Sequence, residues 1–215
     1  MAMDLTRITL RPFKLSDVDD FMLWAGDDEV TQNTRMSLIR SREEALTFIR
    51  DVCIPHPWRR SICIDDRCIG MVSVSPNSGA ERCRAELGYA LAAPFWGQGI
   101  ATKAVNMAVS QAFSHFPDLL RLEALVDSHN KASQRVLEKA GFIREALLRN
   151  YAIVKGIVRD VVIHSFLSSN ASTPPNPSVL VIYLVWFGET LHLASGPSPS
   201  HYHGKLCQPT SIHQH

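Results

Sequence analysis

A mixed α/β fold, of the α+β kind in which strands and helices do not alternate strictly, is the class this sequence predicts. Three observations point to it. Residues 86–116 read as an apolar run (Leu87 to Leu91), a Gly-x-Gly turn (Gly97, Gly99) and a helix with apolar residues at Ala101, Val105, Ala108, Val109, Ala112, Phe113 and Phe116. On both sides, short runs of period two are interleaved with stretches of helical period. The chain has 215 residues, enough for one domain with a sizeable core.

Taken in order, residues 8–13 form a first strand, since Arg7-Ile8-Thr9-Leu10-Arg11 alternates polar and apolar. Ser16 with Asp19 fits a capping box, and Val18, Phe21, Met22 and Ala25 supply the helical face behind it. Gly26-Asp27-Asp28 ends that helix. Ser41 with Glu44 repeats the capping signal before Ala45, Phe48, Ile49 and Val52, and Pro55 and Pro57 stop the second helix. Residues 60–64 and 68–74 are β-rich runs around an Asp65-Asp66 hairpin turn, which sets Cys63 opposite Cys68 as two small half-buried thiols. Residues 76–79 are a loop, and 84–91 are the strand that leads into the glycine turn. Residues 121–126 alternate again. After the turn at 127–130, Ala132, Val136, Leu137 and Ala140 make a short helix stopped by Gly141. Residues 149–152 and 159–166 close the sheet, with Lys155-Gly156 between them.

The glycine turn carries the chemistry. Glycines there bring backbone close to a ligand, and the first N–H groups of the helix have no partner within it. Those donors, with the positive end of the helix dipole, suit a phosphate or pyrophosphate. Two phosphate-binding patterns are excluded. No lysine follows the turn as a Walker loop requires. Thr102 stands where a dinucleotide fingerprint needs a third small residue, and no acidic residue sits about 20 residues further on.

Gly97-Gln98-Gly99-Ile100-Ala101, preceded by an aromatic residue and followed by a long helix, resembles the coenzyme A pyrophosphate loop of the GNAT superfamily of acyl-CoA-dependent N-acyltransferases. A second block, Asn130-Lys131-Ala132-Ser133 through Glu138-Lys139-Ala140-Gly141-Phe142, resembles that family's Asn-x-x-Ala/Ser and Glu-Lys-x-Gly-Phe pattern. Arg11-Pro12 and Leu87-Gly88-Tyr89 are similar to the branch containing the RimJ and RimL N-terminal acetyltransferases. The resemblance covers roughly residues 5–167. It implies a mostly antiparallel sheet whose two central parallel strands splay apart, with acetyl-CoA in the opening. It also implies an acetyltransferase acting on a primary amine, either a protein N-terminus or a small amine, by direct attack in a ternary complex.

By the same resemblance, Gly97, Gln98, Gly99, Ile100, Ala101 and Thr102 hold the pyrophosphate, while Tyr89, Ala90, Leu91, Asn130 and Ser133 meet the pantetheine arm. Glu86 is the expected proton acceptor. Its spacing from the glycines is close to that of the strand glutamate in the histone-acetylating branch; the other reading is an ion pair with Arg82 or Arg84. A backbone N–H among residues 90–92 is the expected oxyanion donor, with Tyr89 as the alternative. Ser133 resembles the serine that approaches the sulfur in the RimL branch, and Asn130 either contacts the cofactor or caps its helix. Two positions depart from the family pattern: Trp96 stands for the usual Gln or Arg, and Leu137 for the usual tyrosine acid. Those departures keep a catalytically silent acyl-CoA-binding module open as the second reading.

The formal net charge of +1 implies neither nucleic acid nor an anionic membrane as partner. No apolar run reaches the roughly 20 residues of a membrane helix, and the first residues lack the basic-then-apolar pattern of a secretory signal. Five cysteines without a C-x-x-C fit a reducing compartment, the cytoplasm with the nucleus also open, and assign no metal site. A monomer or homodimer is expected. From Ser168 the composition changes: only Glu189 and Lys205 are charged, prolines recur, and His192, His201, His203, His213 and His215 appear. Residues 168–215 are therefore read as an atypical Pro/His-rich tail, disordered or loosely docked, after the domain at 1–167. Its apolar segment at 179–187 leaves a tail-mediated interaction role as a third reading.

Overall fold

The computed structural model describes residues 3–170. The expected tail, with its histidines and apolar segment, lies outside the described residues except for a 3-10 turn at Ser168–Asn170. Seven strands form one sheet in the order β1-β2-β3-β4-β5-β7-β6. They are β1 (Ile8–Arg11), β2 (Arg59–Ile64), β3 (Arg67–Pro76), β4 (Arg84–Leu91), β5 (Arg121–Asp127), β6 (Ile143–Val154) and β7 (Ile157–Leu167). Every pairing is antiparallel except β4 with β5. The helices are α1 (Val18–Ala25), α2 (Asp28–Thr31), α3 (Arg42–Phe48), α4 (Ile100–His115) and α5 (Lys131–Lys139).

Two cores follow from the two faces of the sheet. The buried stripe of α4 (Ile100, Ala104, Val105, Ala108, Val109, Ala112) packs with Leu137 of α5 on Val72, Val74, Ala85, Leu87, Leu122 and Ala124. Alanine at three of the α4 positions lets the helix sit close to the strands. On the opposite face, Phe21 and Trp24 of α1 and Ile49 after α3 enclose Cys68 and Ala90. Gly70 is where β3 meets β4 most tightly: a Cβ there would run into the Ala90 carbonyl.

The expected elements are present, with four corrections. Strand β1 stops at Arg11 because Pro12 has no N–H to donate. The Ser16–Asp19 capping box does not form. Instead the nearly buried Asp17 accepts from the Lys14 N–H (2.9 Å) and from both terminal nitrogens of Arg11 (2.8 and 2.7 Å). Gly26-Asp27-Asp28 is not merely a helix end, since Asp27 caps α2 by accepting from the Glu29 N–H at 2.8 Å. The strand expected at 149–152 is part of the much longer β6, whose register shifts at Arg144/Ala146 and Leu148/Ala152. Each shift turns the alternation over, and no residue of β6 is buried, so no sustained period of two survives in the sequence.

The hairpin at Asp65 and Asp66 has both residues at positive φ (49° and 65°), the geometry of a two-residue turn that follows the sheet twist. It sets Cys63 opposite Cys68. Both thiols are free, and burial pushes Cys68 up to about 12. The Arg11–Asp17 pair is the least exposed ion pair at this end, with side chains 16% and 5% exposed. Arg11→Ala strands a buried carboxylate, so a denaturation midpoint should register a loss of about 3–5 kcal/mol.

The feature that shapes the site is the end of the one parallel ladder. β4 and β5 pair only at Arg84 with Arg121, Ala85 with Leu122 and Glu86 with Glu123. Beyond Glu86, β4 runs on to Leu91 and β5 to Asp127 without pairing. The two central strands therefore splay, and the gap opens toward the α4 N-terminus.

Candidate active site

The register decides which backbone groups face the gap. Hydrogen bonds from Asn77 N–H to the Arg84 carbonyl (3.1 Å) and from Ala92 N–H to the Ile69 carbonyl (2.8 Å) bracket the β3–β4 ladder. Between them Ser75 opposes Glu86, Ser73 opposes Gly88 and Met71 opposes Ala90. In an antiparallel pair the bonded residues alternate, so Glu86, Gly88 and Ala90 turn their main-chain groups toward β3. Tyr89 and Leu91 turn theirs into the gap. The Leu91 carbonyl is taken by the indole N–H of Trp96 at 2.7 Å. What faces the gap is the Tyr89 amide, both N–H and C=O, and the Leu91 N–H. Within residues 90–92, Leu91 is thus the one whose N–H points into the opening.

At the wide end of the gap stands the N-terminus of α4. Gly97 and Gly99 have φ of +73° and +81°, values L side chains rarely adopt. Gly99 is the N-cap and brings no side chain to satisfy the helix. The first helical bond runs from Lys103 N–H to the Gly99 carbonyl at 3.0 Å, which leaves the N–H groups of Ile100, Ala101 and Thr102 without a helical partner. A Cβ on Gly97 would meet nothing within 4 Å. Gln98 holds the loop by donating to the Pro94 carbonyl at 2.8 Å. Three convergent N–H groups at the positive end of a 16-residue helix suit a pyrophosphate, and the gap beside β4 suits an extended amide-bearing chain. Trp96 ties the loop back to the strand through its indole bond to the Leu91 carbonyl.

The side chains lie on both faces of the gap. Ala85 and Leu87 are buried under α4, so Glu86 between them projects to the opposite face. Its carboxylate is 44% exposed and 3.5 Å from the guanidinium of Arg35. The expected alternative partner, Arg84, is engaged with Glu81 (2.7 Å) and Glu123 (3.3 Å). Tyr89 packs on the α4 side. Its hydroxyl lies 2.7 Å from Ser133 Oγ and donates to the Ser133 carbonyl at 3.1 Å, and burial pushes it up to about 12. Asn130 caps α5, accepting from the Ser133 N–H at 3.0 Å. Leu137 is fully buried and belongs to the core. Sequence reasoning missed Arg35 and the neighbouring Thr31. They lie in a stretch without periodicity, and only the fold brings them beside β4.

The model of the acetyltransferase (GNAT) domain matches residues 7–143. The chain belongs to the GNAT acetyltransferase family. It is 32% identical to the uncharacterized N-acetyltransferase p20 of Bacillus licheniformis over 75% of this chain and 93% of that protein. Among solved structures, Mycobacterium smegmatis RimJ in complex with CoA-disulfide is 26% identical with a TM-score of 0.65, covering 77% of this chain and 84% of that one. Spermidine N-acetyltransferase from Vibrio cholerae, in complex with CoA and spermine, shares the fold at 19% identity and a TM-score of 0.65, covering 77% and 98%. The splayed pair, the glycine turn and the Ser133 block all belong to the GNAT portion of this chain, and no helix among the described residues is long and apolar enough to cross a membrane.

Proposed function

We propose that this GNAT protein binds acetyl-CoA in the β4–β5 gap and transfers the acetyl group to a primary amine, a protein N-terminus or a small amine, by direct attack within one ternary complex. The observation that carries this reading is the splay after Glu86, with the uncapped N-terminus of α4 at its open end. The N–H groups of Ile100, Ala101 and Thr102, on the backbone allowed by Gly97 and Gly99, receive the pyrophosphate, and Gln98 braces the loop. The Tyr89 amide and the Leu91 N–H, with Ala90 between them, line the pantetheine arm as an added strand would. Asn130 holds the start of α5 against it.

Glu86 and Ser133 then stand on opposite sides of the thioester. Glu86, on the face covered by α1–α3, takes a proton from the entering ammonium. The neutral nitrogen attacks the carbonyl, and the Leu91 N–H is the donor placed for the developing oxyanion. Ser133 donates to the departing thiolate in place of the tyrosine that Leu137 replaces. Tyr89 positions it: its single hydrogen has the Ser133 carbonyl and Oγ both within reach, and when turned to Oγ it leaves the serine hydrogen free for sulfur. Ser133→Ala should lower kcat about ten- to a hundredfold, the size of a hydrogen bond to a charged group. Tyr89→Phe should cost only about three- to tenfold, with the Michaelis constant for acetyl-CoA nearly unchanged in both.

The test is thiol release with acetyl-CoA and a panel of amines on the full chain. Binding without turnover would favour a silent acyl-CoA-binding module instead. Free, buried thiols at Cys53, Cys63 and Cys68 support a reducing, cytoplasmic setting. We place the catalytic unit at residues 1–167 and treat it as a monomer or homodimer.

A further inference from the structure

The open sheet face beside Glu86 carries three other carboxylates, and each is already matched. Glu123, with its side chain 16% exposed, meets Arg121 at 2.6 Å and Arg84 at 3.3 Å. Glu145 meets Arg121 at 2.5 Å and accepts from the Ser165 hydroxyl at 2.6 Å. Arg121 holds the Glu145 carboxyl down at about 2. Asp127 meets Arg159 at 3.3 Å and His129 at 3.2 Å. None of these acids is free to draw in a cationic acceptor.

The rim above Glu86 is different. Among the described residues, Arg35 has Glu86 as its one carboxylate partner, at 3.5 Å. Thr34 bonds back to the Thr31 carbonyl through its N–H at 2.9 Å and its hydroxyl at 2.9 Å, closing a tight turn from Thr31 that Arg35 directly follows. Lys155, at the tip of the β6–β7 hairpin, donates to Thr31 Oγ1 at 3.3 Å. No carboxylate among the described residues pairs with its ammonium. Arg35 and Lys155 thus stand with Glu86 at the rim where the proposed acceptor enters, while Asp28 and Glu29 lie exposed at the start of α2. When Glu86 takes a proton, Arg35 loses its counter-charge.

We infer that the preferred acceptor carries a carboxylate close to its primary amine, and that Arg35, assisted by Lys155, selects it. This rests on the acetyltransferase reading above and names the acceptor class within it. The acceptor's ammonium gives one proton to Glu86. The nitrogen lone pair forms the N–C bond, and the C–S pair leaves with sulfur. The nitrogen's second proton neutralises that thiolate. Through these steps the acceptor carboxylate supplies the charge that Glu86 withdraws from Arg35. A polyamine brings further positive charge to the same rim and is disfavoured.

The experiment compares kcat/KM on the full chain for the peptides Ser-Glu-Ala-Ala-amide and Ser-Gln-Ala-Ala-amide, for free L-glutamate, and for spermidine. The acidic peptide or L-glutamate should exceed the neutral peptide by roughly tenfold or more, and which of the two leads identifies the source of the carboxylate. The preference should shrink with added salt. Arg35→Gln should erase most of it, Lys155→Gln part of it, and Arg35→Glu should turn it toward spermidine. A merely structural Arg35 would lower all four rates together. A neutral peptide exceeded by neither the acidic peptide nor L-glutamate, a lead for spermidine, or an unchanged ratio in Arg35→Gln overturns the inference while leaving the acetyltransferase reading intact. Should no acceptor turn over, the same peptides titrated into the CoA-loaded chain decide it: tighter binding of the acidic peptide supports Arg35, and equal binding contradicts it.

Discussion

Replacing Glu86 by glutamine should lower kcat by about two to four orders of magnitude, the usual range for a positioned general base, with acetyl-CoA affinity changed by no more than a few-fold. The side chain sits at the last paired rung of β4 and β5, where the gap begins. Its carboxylate faces away from α4 and is half exposed, on the side where the proposed mechanism brings in the acceptor. Glutamine keeps the shape and a carbonyl oxygen but cannot take the proton. The loss should therefore fall on kcat and on kcat/KM for the amine alike. Stopped-flow thiol release at saturating acetyl-CoA, with calorimetric binding in parallel, separates the two effects. A variant that keeps full turnover would move the proton to a water chain, and one that loses acetyl-CoA binding would make Glu86 structural.

Gly99→Val should weaken acetyl-CoA binding by roughly ten- to a hundredfold or more. Gly99 is the N-cap of α4 at φ +81°, a conformation a β-branched residue adopts only under strain. Relaxing that strain turns the first amides of α4 away from a common point. Gly79 offers the control. It too has a positive φ, +61°, and open space around it, but it lies in the turn before β4, away from the cradle. Gly79→Val should therefore cost a similar amount of stability with acetyl-CoA affinity retained. Equal loss of affinity in both variants would show that the effect is general destabilisation.

How much of this was legible in the sequence depends on whether the information is local. The glycine turn, the α4 face and the Asn130 cap announce themselves because backbone conformation, helical period and capping chemistry act over a few residues. The Asp65-Asp66 hairpin and its opposed cysteines were readable for the same reason. The bulged β6 was not, since each register shift erases the alternation that marks a strand. The Asp17–Arg11 pair and the Arg35–Glu86 pair were not readable either. Both are set by tertiary packing, and Ser16-Asp17-Val18-Asp19 offers more than one acid to cap a turn. The Tyr89–Ser133 hydrogen bond joins residues 44 apart; the sequence named both side chains without showing that they touch. The splay came from the family resemblance, and the three-rung β4–β5 ladder supplies its physical form.

Amide hydrogen exchange on the full chain, with and without acetyl-CoA, tests the central claim most directly because it reports on the backbone groups the site is built from. Acetyl-CoA should slow exchange at Tyr89 and Leu91 in the gap and at Ile100, Ala101 and Thr102 at the head of α4, all of which lack a ladder or helical partner of their own. Saturating acetyl-CoA that leaves those five amides unchanged, or protects a different surface, would contradict the account.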